Sequence, residues 1–223
     1  MPGTASGRIK EIAEFALIPL LAYVVFSFVW SLLGFASPVP PAHLREYTLG
    51  TFAVEVGGHL LFGAVAALPT MDLRLIALCT GEASLIDSDH ILSALNFPVE
   101  TRLSHSIGFL ILMTVAISWV ATRGKRLDVR VMLTTVAAIL AHFSYDIYAG
   151  NGEFPVFAPV SLTPVQFPHW TWAVFEASAI AVASLVLAMK WRKGASLRHR
   201  IPPGGAPAPT PTSPDPPKTL RLA

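Results

Sequence analysis

The sequence predicts an all-α membrane protein, a polytopic bundle of about six transmembrane helices followed by a disordered C-terminal tail. Three observations carry this reading. Of the 223 residues, 53% are hydrophobic and only 13% are charged, an apolar excess beyond that of soluble domains. The apolar residues fall in long runs, several near the ~20 residues that cross a bilayer as a helix. If those runs alternate in direction from a cytoplasmic N-terminus, 14 of the 16 Lys and Arg residues lie on the cytoplasmic side, and only Arg45 and Arg102 lie on the other. That is the positive-inside pattern of an integral protein of the cell or inner membrane, with both termini cytoplasmic and membrane lipids as partners.

Residues 1–10 are polar, and the first span runs from about Phe15 to Phe35. Ser37-Pro38-Val39-Pro40-Pro41 ends it, because proline cannot continue a helix and restricts the residue before it. The run is long enough to stay as an anchor rather than be cleaved. The second span covers about Thr51 to Leu68 and stops at Pro69. The third, about Leu73 to Leu92, is less apolar because it carries Glu82, Asp87, Asp89 and His90. Asn96-Phe97-Pro98 marks a loop. The fourth span opens near Ser104, a fitting N-cap, and runs to Ala121. The fifth covers about Val129 to Tyr148 and ends at the turn signal Ala149-Gly150-Asn151-Gly152. A loop rich in proline and aromatics leads to the sixth span, about Trp170 to Trp191. Residues 1–200 thus form one membrane-embedded helical domain. Residues 201–223, rich in Pro, Ala and Thr, form a disordered cytoplasmic tail.

A net charge of +2 gives no support to a nucleic-acid partner. Cys79 is the only cysteine, which excludes an internal disulfide and a thiolate-only metal site. No internal repeat is visible, and nothing fixes an oligomeric state.

The informative residues are the polar ones that a lipid-facing helix would not carry. An ionisable residue at membrane depth is costly and marks a function by default. Asp87 and His90 are three apart and share a helical face, whereas Asp89 points elsewhere on a regular helix. Either the helix changes within the motif, or Asp89 partners a ligand or holds a second ion. His59 sits in mid-span after Gly57-Gly58, with Glu55 one turn earlier; the glycines allow close approach of another helix. His105 lies at the start of the fourth span, either interfacial or turned inward. His142 and Asp146 are four apart on one face of the fifth span, a spacing that can chelate one ion. Glu82 and Glu176 are plausible outer members, while His169 reads as interfacial. Carboxylates and imidazoles together are ligands for divalent metals, zinc or manganese first, as one ion or two. In the alternating topology, Asp87, Asp89, His90, His105, His142 and Asp146 all fall toward the non-cytoplasmic ends. A shared site requires the third and fifth spans to pack together there, with Asp87 and Asp146 converging.

These segments, in this order, resemble the YdjM-like family of membrane-bound metal-dependent hydrolases. Gly58-His59-Leu60-Leu61-Phe62 matches the family's Gly-His-Leu-Leu-Phe-type segment. Leu85-Ile86-Asp87-Ser88-Asp89-His90 matches Leu-Pro-Asp-x-Asp-His, with Ile86 in place of proline. Ser104-His105-Ser106 keeps the end of His-Arg-Gly-x-Thr-His-Ser, with Glu100, Thr101 and Arg102 at its first three positions. His142 and Asp146 match a His-x-x-x-Asp helix, and Gly152 and Pro159 the loop after it. The resemblance covers residues 57–160. It implies a metal-dependent hydrolase with His59, Asp87, Asp89, His90, His105, His142 and Asp146 as metal ligands. Asp89 is ligand or base, and Glu100 stands where a motif histidine is lost, so these two are the catalytic candidates.

The leading function is hydrolysis of an ester or phosphoester of a small or lipid-like substrate by metal-activated water. A phosphatidic-acid-phosphatase-type enzyme also uses His-x-x-x-Asp, but it needs a Lys/Arg-rich motif on the same side, where only Arg45 and Arg102 lie. The non-enzymatic alternative is a divalent-metal or proton transporter, whose polar residues must continue to the cytoplasmic side.

Overall fold

A computed structural model describes residues 5–36, 49–95, 97 and 102–199. Glu100 and the tail 201–223 lie outside the described residues. Residues up to Met189 form one compact unit, and Lys190 onward a second. The elements are α1 (Ala5–Ser31), closed by a 3-10 turn at Leu32–Ala36; α2 (Leu49–Ala67); α3 (Leu73–Leu85), tightening into a 3-10 helix at Ile86–His90; and α4 (Ile91–Ala94). Then come α5 (Ile107–Ala121), α6 (Val129–Ala149), the short strands β1 (Glu153–Phe154) and β2 (Val165–Gln166), and α7 (Thr171–His199). The strands pair antiparallel, with Glu153 opposite Gln166 and Phe154 opposite Val165.

Four helical stretches are long and apolar enough to cross a membrane: Ala5–Ala36, Ala53–Thr70, Val129–Ala149 and Thr171–Arg192. The other two expected spans are shorter: α3 has 13 residues and α5 has 15. At 1.5 Å per residue these are about 20 and 22 Å long, against a hydrocarbon core of about 30 Å. The third expected span includes the Asp-Ser-Asp-His segment, where the backbone in fact narrows into a 3-10 helix. The fourth expected span opens three residues before α5 does. Ser106, not Ser104, is the N-cap: its Oγ accepts the Phe109 N–H at 3.2 Å. The first helix begins at Ala5 rather than near Phe15, because polar residues end an apolar run without ending a helix. The hairpin within the loop after α6 was not expected.

The helix α6 is the centre of the bundle. Of its spanning window 72% is buried, against 22–28% for the other three long stretches. A helix enclosed on all sides has no lipid-facing stripe, which explains why α6 tolerates Thr134, Thr135, His142, Ser144 and Asp146. Alanines set the close approaches: Ala66, Ala83, Ala137, Ala138, Ala141, Ala179 and Ala183 are buried together. Small residues at helix contacts are how membrane bundles pack tightly. At Gly63 of α2 even a Cβ would come within 2.7 Å of the Ala83 Cβ on α3. A second apolar cluster joins Tyr23 and Leu78 to Phe109, Met113, Ile117 and Ile139. The helices α2, α3 and α6 thus converge, with α1 and α5 alongside, and the ends of α3 and α6 meet.

Candidate metal centre

The 3-10 segment Ile86–His90 decides which side chains meet. In a 3-10 helix residues i and i+3 eclipse. Asp87 and His90 therefore stand together, with His90 Nε2 3.4 Å from Asp87 Oδ1. Asp89 turns the other way, into the protein, and is 1% exposed. Its Oδ2 accepts the Ser104 N–H at 3.1 Å and lies 3.6 Å from His105 Nδ1. The segment is pinned by α1: Ser27 Oγ donates to the Ile86 carbonyl at 2.7 Å and lies 2.8 Å from Ser104 Oγ. Trp30 Nε1 donates to the Leu103 carbonyl at 2.9 Å. The first helix thus holds two segments of the cluster.

His105 is fully buried rather than interfacial. A turn closed by the His105 N–H on the Arg102 carbonyl, at 2.9 Å, presents it. Its ring lies nearly parallel to Phe143 and Phe154, with centroids 5.7 and 5.2 Å away. The hairpin supplies Phe154, and Gly152 makes the hairpin possible. Its φ of +60° is a backbone that L side chains rarely adopt.

His142 and Asp146 do share a face of α6. His142 Nδ1–H donates to the Ala83 carbonyl at 2.6 Å, which leaves Nε2 as the bare nitrogen. That Nε2 lies 2.8 Å from His105 Nε2, and His105 Nε2 lies 3.0 Å from Asp146 Oδ2. His59 enters from α2, stacked on His142 at 4.0 Å. Its Nε2 is 3.1 Å from Asp87 Oδ2 and 3.3 Å from Asp146 Oδ1. Gly58 leaves room beside it: a Cβ there would run into the Tyr145 ring, which packs on His59.

Two donor groups result. Asp87, His105, His142 and Asp146 each bring a ligand atom within 4.8 Å of the others, as do Asp87, Asp89 and His90, so Asp87 belongs to both. The donor chemistry fits a cation. His142 Nε2 and Asp146 Oδ2 both turn lone pairs toward His105 Nε2, which carries at most one proton and can satisfy only one of them. His59 Nδ1 and Nε2, His105 Nδ1 and Asp89 Oδ1 are buried without a hydrogen-bond partner among the described residues. Unpaired nitrogens and carboxylate oxygens are costly when buried, and a divalent ion held by such lone pairs offsets the cost. Three carboxylates against one nearby guanidinium, Arg102 at 4.0 Å from Asp146 Oδ2, leave a formal charge of −2, which one divalent cation cancels. The cluster opens at one edge, where Asp87 is 33% and His90 26% exposed.

The remaining acids stay apart from both groups. Glu82 is buried one to two turns below, accepting from Thr135 Oγ1 at 3.2 Å. Glu176 is buried near the α6–α7 contact. His169 faces the Tyr148 carbonyl at 3.2 Å on the exposed side. Arg102 was missed as a site residue, although it is one of the two basic residues on the minority side of the Lys/Arg count. Ser27, Trp30 and Phe154 carry no signal in one sequence, because their roles depend on which helices pack.

Comparison of the chain with protein-family models, curated proteins and solved structures finds no match. The cluster's geometry and the four ordered motifs are therefore what bears on function.

Proposed function

We propose that this protein is a membrane-bound metal-dependent hydrolase, related to the YdjM-like family by its four ordered motifs. The observation that carries the reading is the convergence of four imidazoles and three carboxylates from two α-helices, the 3-10 segment and the turn before α5 onto one cluster that is open at one edge. His59, His105, His142, Asp87 and Asp146 would hold the principal ion, zinc or manganese, and Asp87, Asp89 and His90 offer a place for a second. A divalent cation in such a donor set supplies a Lewis acid and a water acidified toward neutrality.

The chain's own residues do the rest. The Ala83 carbonyl fixes the His142 tautomer by accepting from Nδ1–H, as partners of ligating histidines do, while Asp89 Oδ2 stands behind His105, 3.6 Å from its Nδ1. That placement favours Asp89 as an orienting group over Asp89 as the base. Asp87 and His90, at the open edge, face the incoming ester or phosphoester. The six-span topology keeps both termini cytoplasmic and puts the site near the non-cytoplasmic face. In it α3, its 3-10 extension and α4 cross as one rod. A reporter fused after Ala223 checks this: it is active inside, and activity only outside would move the site to the cytoplasmic face.

One observation favours the transporter instead. Glu82 and Thr135 extend the buried polar groups inward from the cluster. The experiment that separates the two uses protein purified in detergent and reconstituted in vesicles. The hydrolase cleaves p-nitrophenyl phosphate or p-nitrophenyl acetate, loses activity to chelator and regains it with zinc or manganese. The transporter cleaves neither and moves the metal across the vesicle wall.

A further inference from the structure

Arg102 is placed for a task that the ligand set does not cover. It is a non-glycine residue with φ of +63°, in the left-handed region that costs a residue with a Cβ about 1 kcal/mol or more. Such strain persists where the surroundings impose it, and it concentrates at functional sites. Here the backbone turn serves His105, whose N–H closes on the Arg102 carbonyl. The side chain is held separately. Its guanidinium lies over the Phe154 ring, 5.6 Å from the centroid. Nη1 donates to Asn151 Oδ1 at 3.2 Å and to the Glu153 carbonyl at 3.4 Å. Toward the cluster, Nη1 stops 4.0 Å from Asp146 Oδ2, beyond hydrogen-bond reach. That oxygen is the one facing His105 Nε2 and His142 Nε2. Among the described residues, all polar contacts of the guanidinium run through Nη1. Among those residues the other donors of the fork have no partner, and the side chain is 28% exposed.

A cation fixed by its neighbours at the rim of the donor cluster, within ion-pair but not hydrogen-bond distance of Asp146, is a receptor for an anion that reaches the cluster alongside that carboxylate. We propose that Arg102 binds one non-bridging oxygen of a phosphoryl group whose other oxygen faces the metal centre, so that the substrate is a phosphate ester and not a neutral carboxylic ester. This rests on the metal-centre reading above. A phosphoryl group has at least two charged non-bridging oxygens, one for the guanidinium and one for the metal centre. A carboxylic ester presents one uncharged carbonyl oxygen and leaves the guanidinium idle. Guanidinium is also the side chain whose planar fork matches phosphate. The phosphoryl group can belong to a lipid headgroup or to a soluble phosphate.

The cleanest variant is Arg102→Gly, because glycine adopts positive φ freely and keeps the turn that presents His105. The full chain, loaded with manganese in detergent, is titrated with inorganic phosphate while the broadening of the phosphorus resonance is followed. In a second arm, phosphatidate in mixed micelles replaces inorganic phosphate. Wild type binds, and Arg102→Gly weakens binding about tenfold or more, as loss of a charge-assisted hydrogen bond requires. Manganese content and melting temperature stay unchanged, and Arg102→Lys falls between. A merely structural clamp would instead lower the melting temperature or the metal content. Tighter binding of phosphatidate assigns the lipid source, and tighter binding of inorganic phosphate the soluble one. Phosphate affinity in Arg102→Gly within twofold of wild type overturns the proposal, as does a manganese-loaded wild type that binds neither probe; the metal reading survives both results. A wild type that takes up neither manganese nor zinc overturns the metal reading itself.

Discussion

The helices α3 and α6 run side by side, and their two ends carry aspartates that do opposite things. At the start of each, the sequence is Asp-x-Arg. Asp72 accepts the Arg74 N–H at 3.2 Å and Asp128 the Arg130 N–H at 2.9 Å. Each carboxylate also pairs with that arginine's side chain, at 3.4 and 2.7 Å. These acids cap helices and are neutralised within two residues of chain. At the other end, Asp87, Asp89 and Asp146 face imidazoles, and only Asp146 has an arginine near, at 4.0 Å. Carboxylates balanced locally are structural. Carboxylates gathered from distant segments against neutral donors require a charge from elsewhere.

The largest expected effect breaks the ligand end. Asp146→Ala or Asp87→Ala lowers metal affinity by more than about a hundredfold, since loss even of a group behind a ligand costs roughly ten- to hundredfold. The double variant is little worse than either single one, because residues acting on one ion are not additive. Equilibrium metal titration checks this, and additive losses would contradict a shared ion. His90→Ala sharpens the same end. It belongs only to the second donor group, so the principal ion stays bound with nearly unchanged affinity, while any second ion is lost.

Gly58→Ala is next in size. The new methyl group meets the Tyr145 ring, and overpacking of this kind costs about 2 kcal/mol, read as a lower melting temperature together with weaker metal binding through His59. The smallest effect is at the cap end. Asp128→Ala costs about 1 kcal/mol of stability and leaves metal binding alone. The Arg130 guanidinium beside Asp128 holds its carboxyl below the ordinary range. Its contribution is therefore fully present above the ordinary carboxylate pKa and fades as pH falls through the lowered one. A melting curve against pH should show wild type and Asp128→Ala converging only in that acid window.

How much of this was legible follows from where each signal is stored. The four long apolar helices could be read because a membrane crossing demands long apolar runs, and α2 and α6 lie within two residues of their expected ends. The pairing of His142 with Asp146 was legible because helical spacing puts them on one face. Asp89 was ambiguous because its direction depends on the switch to 3-10 geometry at Ile86, which no periodicity announces. The cap at Ser106 was misplaced by two residues because Ser104 has equal capping chemistry. Its hydroxyl instead meets Ser27, a contact 77 residues apart that only packing creates. Arg102 was visible as a charge on the wrong side but not as a site residue, because its reach depends on the fold of the Gly152 hairpin.

The central claim is that the ends of α3 and α6 are built around a cation, and elemental analysis tests it most directly. Wild type and Asp146→Ala are purified in detergent without any chelator and assayed for zinc and manganese per chain. The account predicts at least one ion per wild-type chain, and none in Asp146→Ala despite intact helical content. A wild type with no stoichiometric metal, whose melting temperature does not rise when either metal is added, would contradict it.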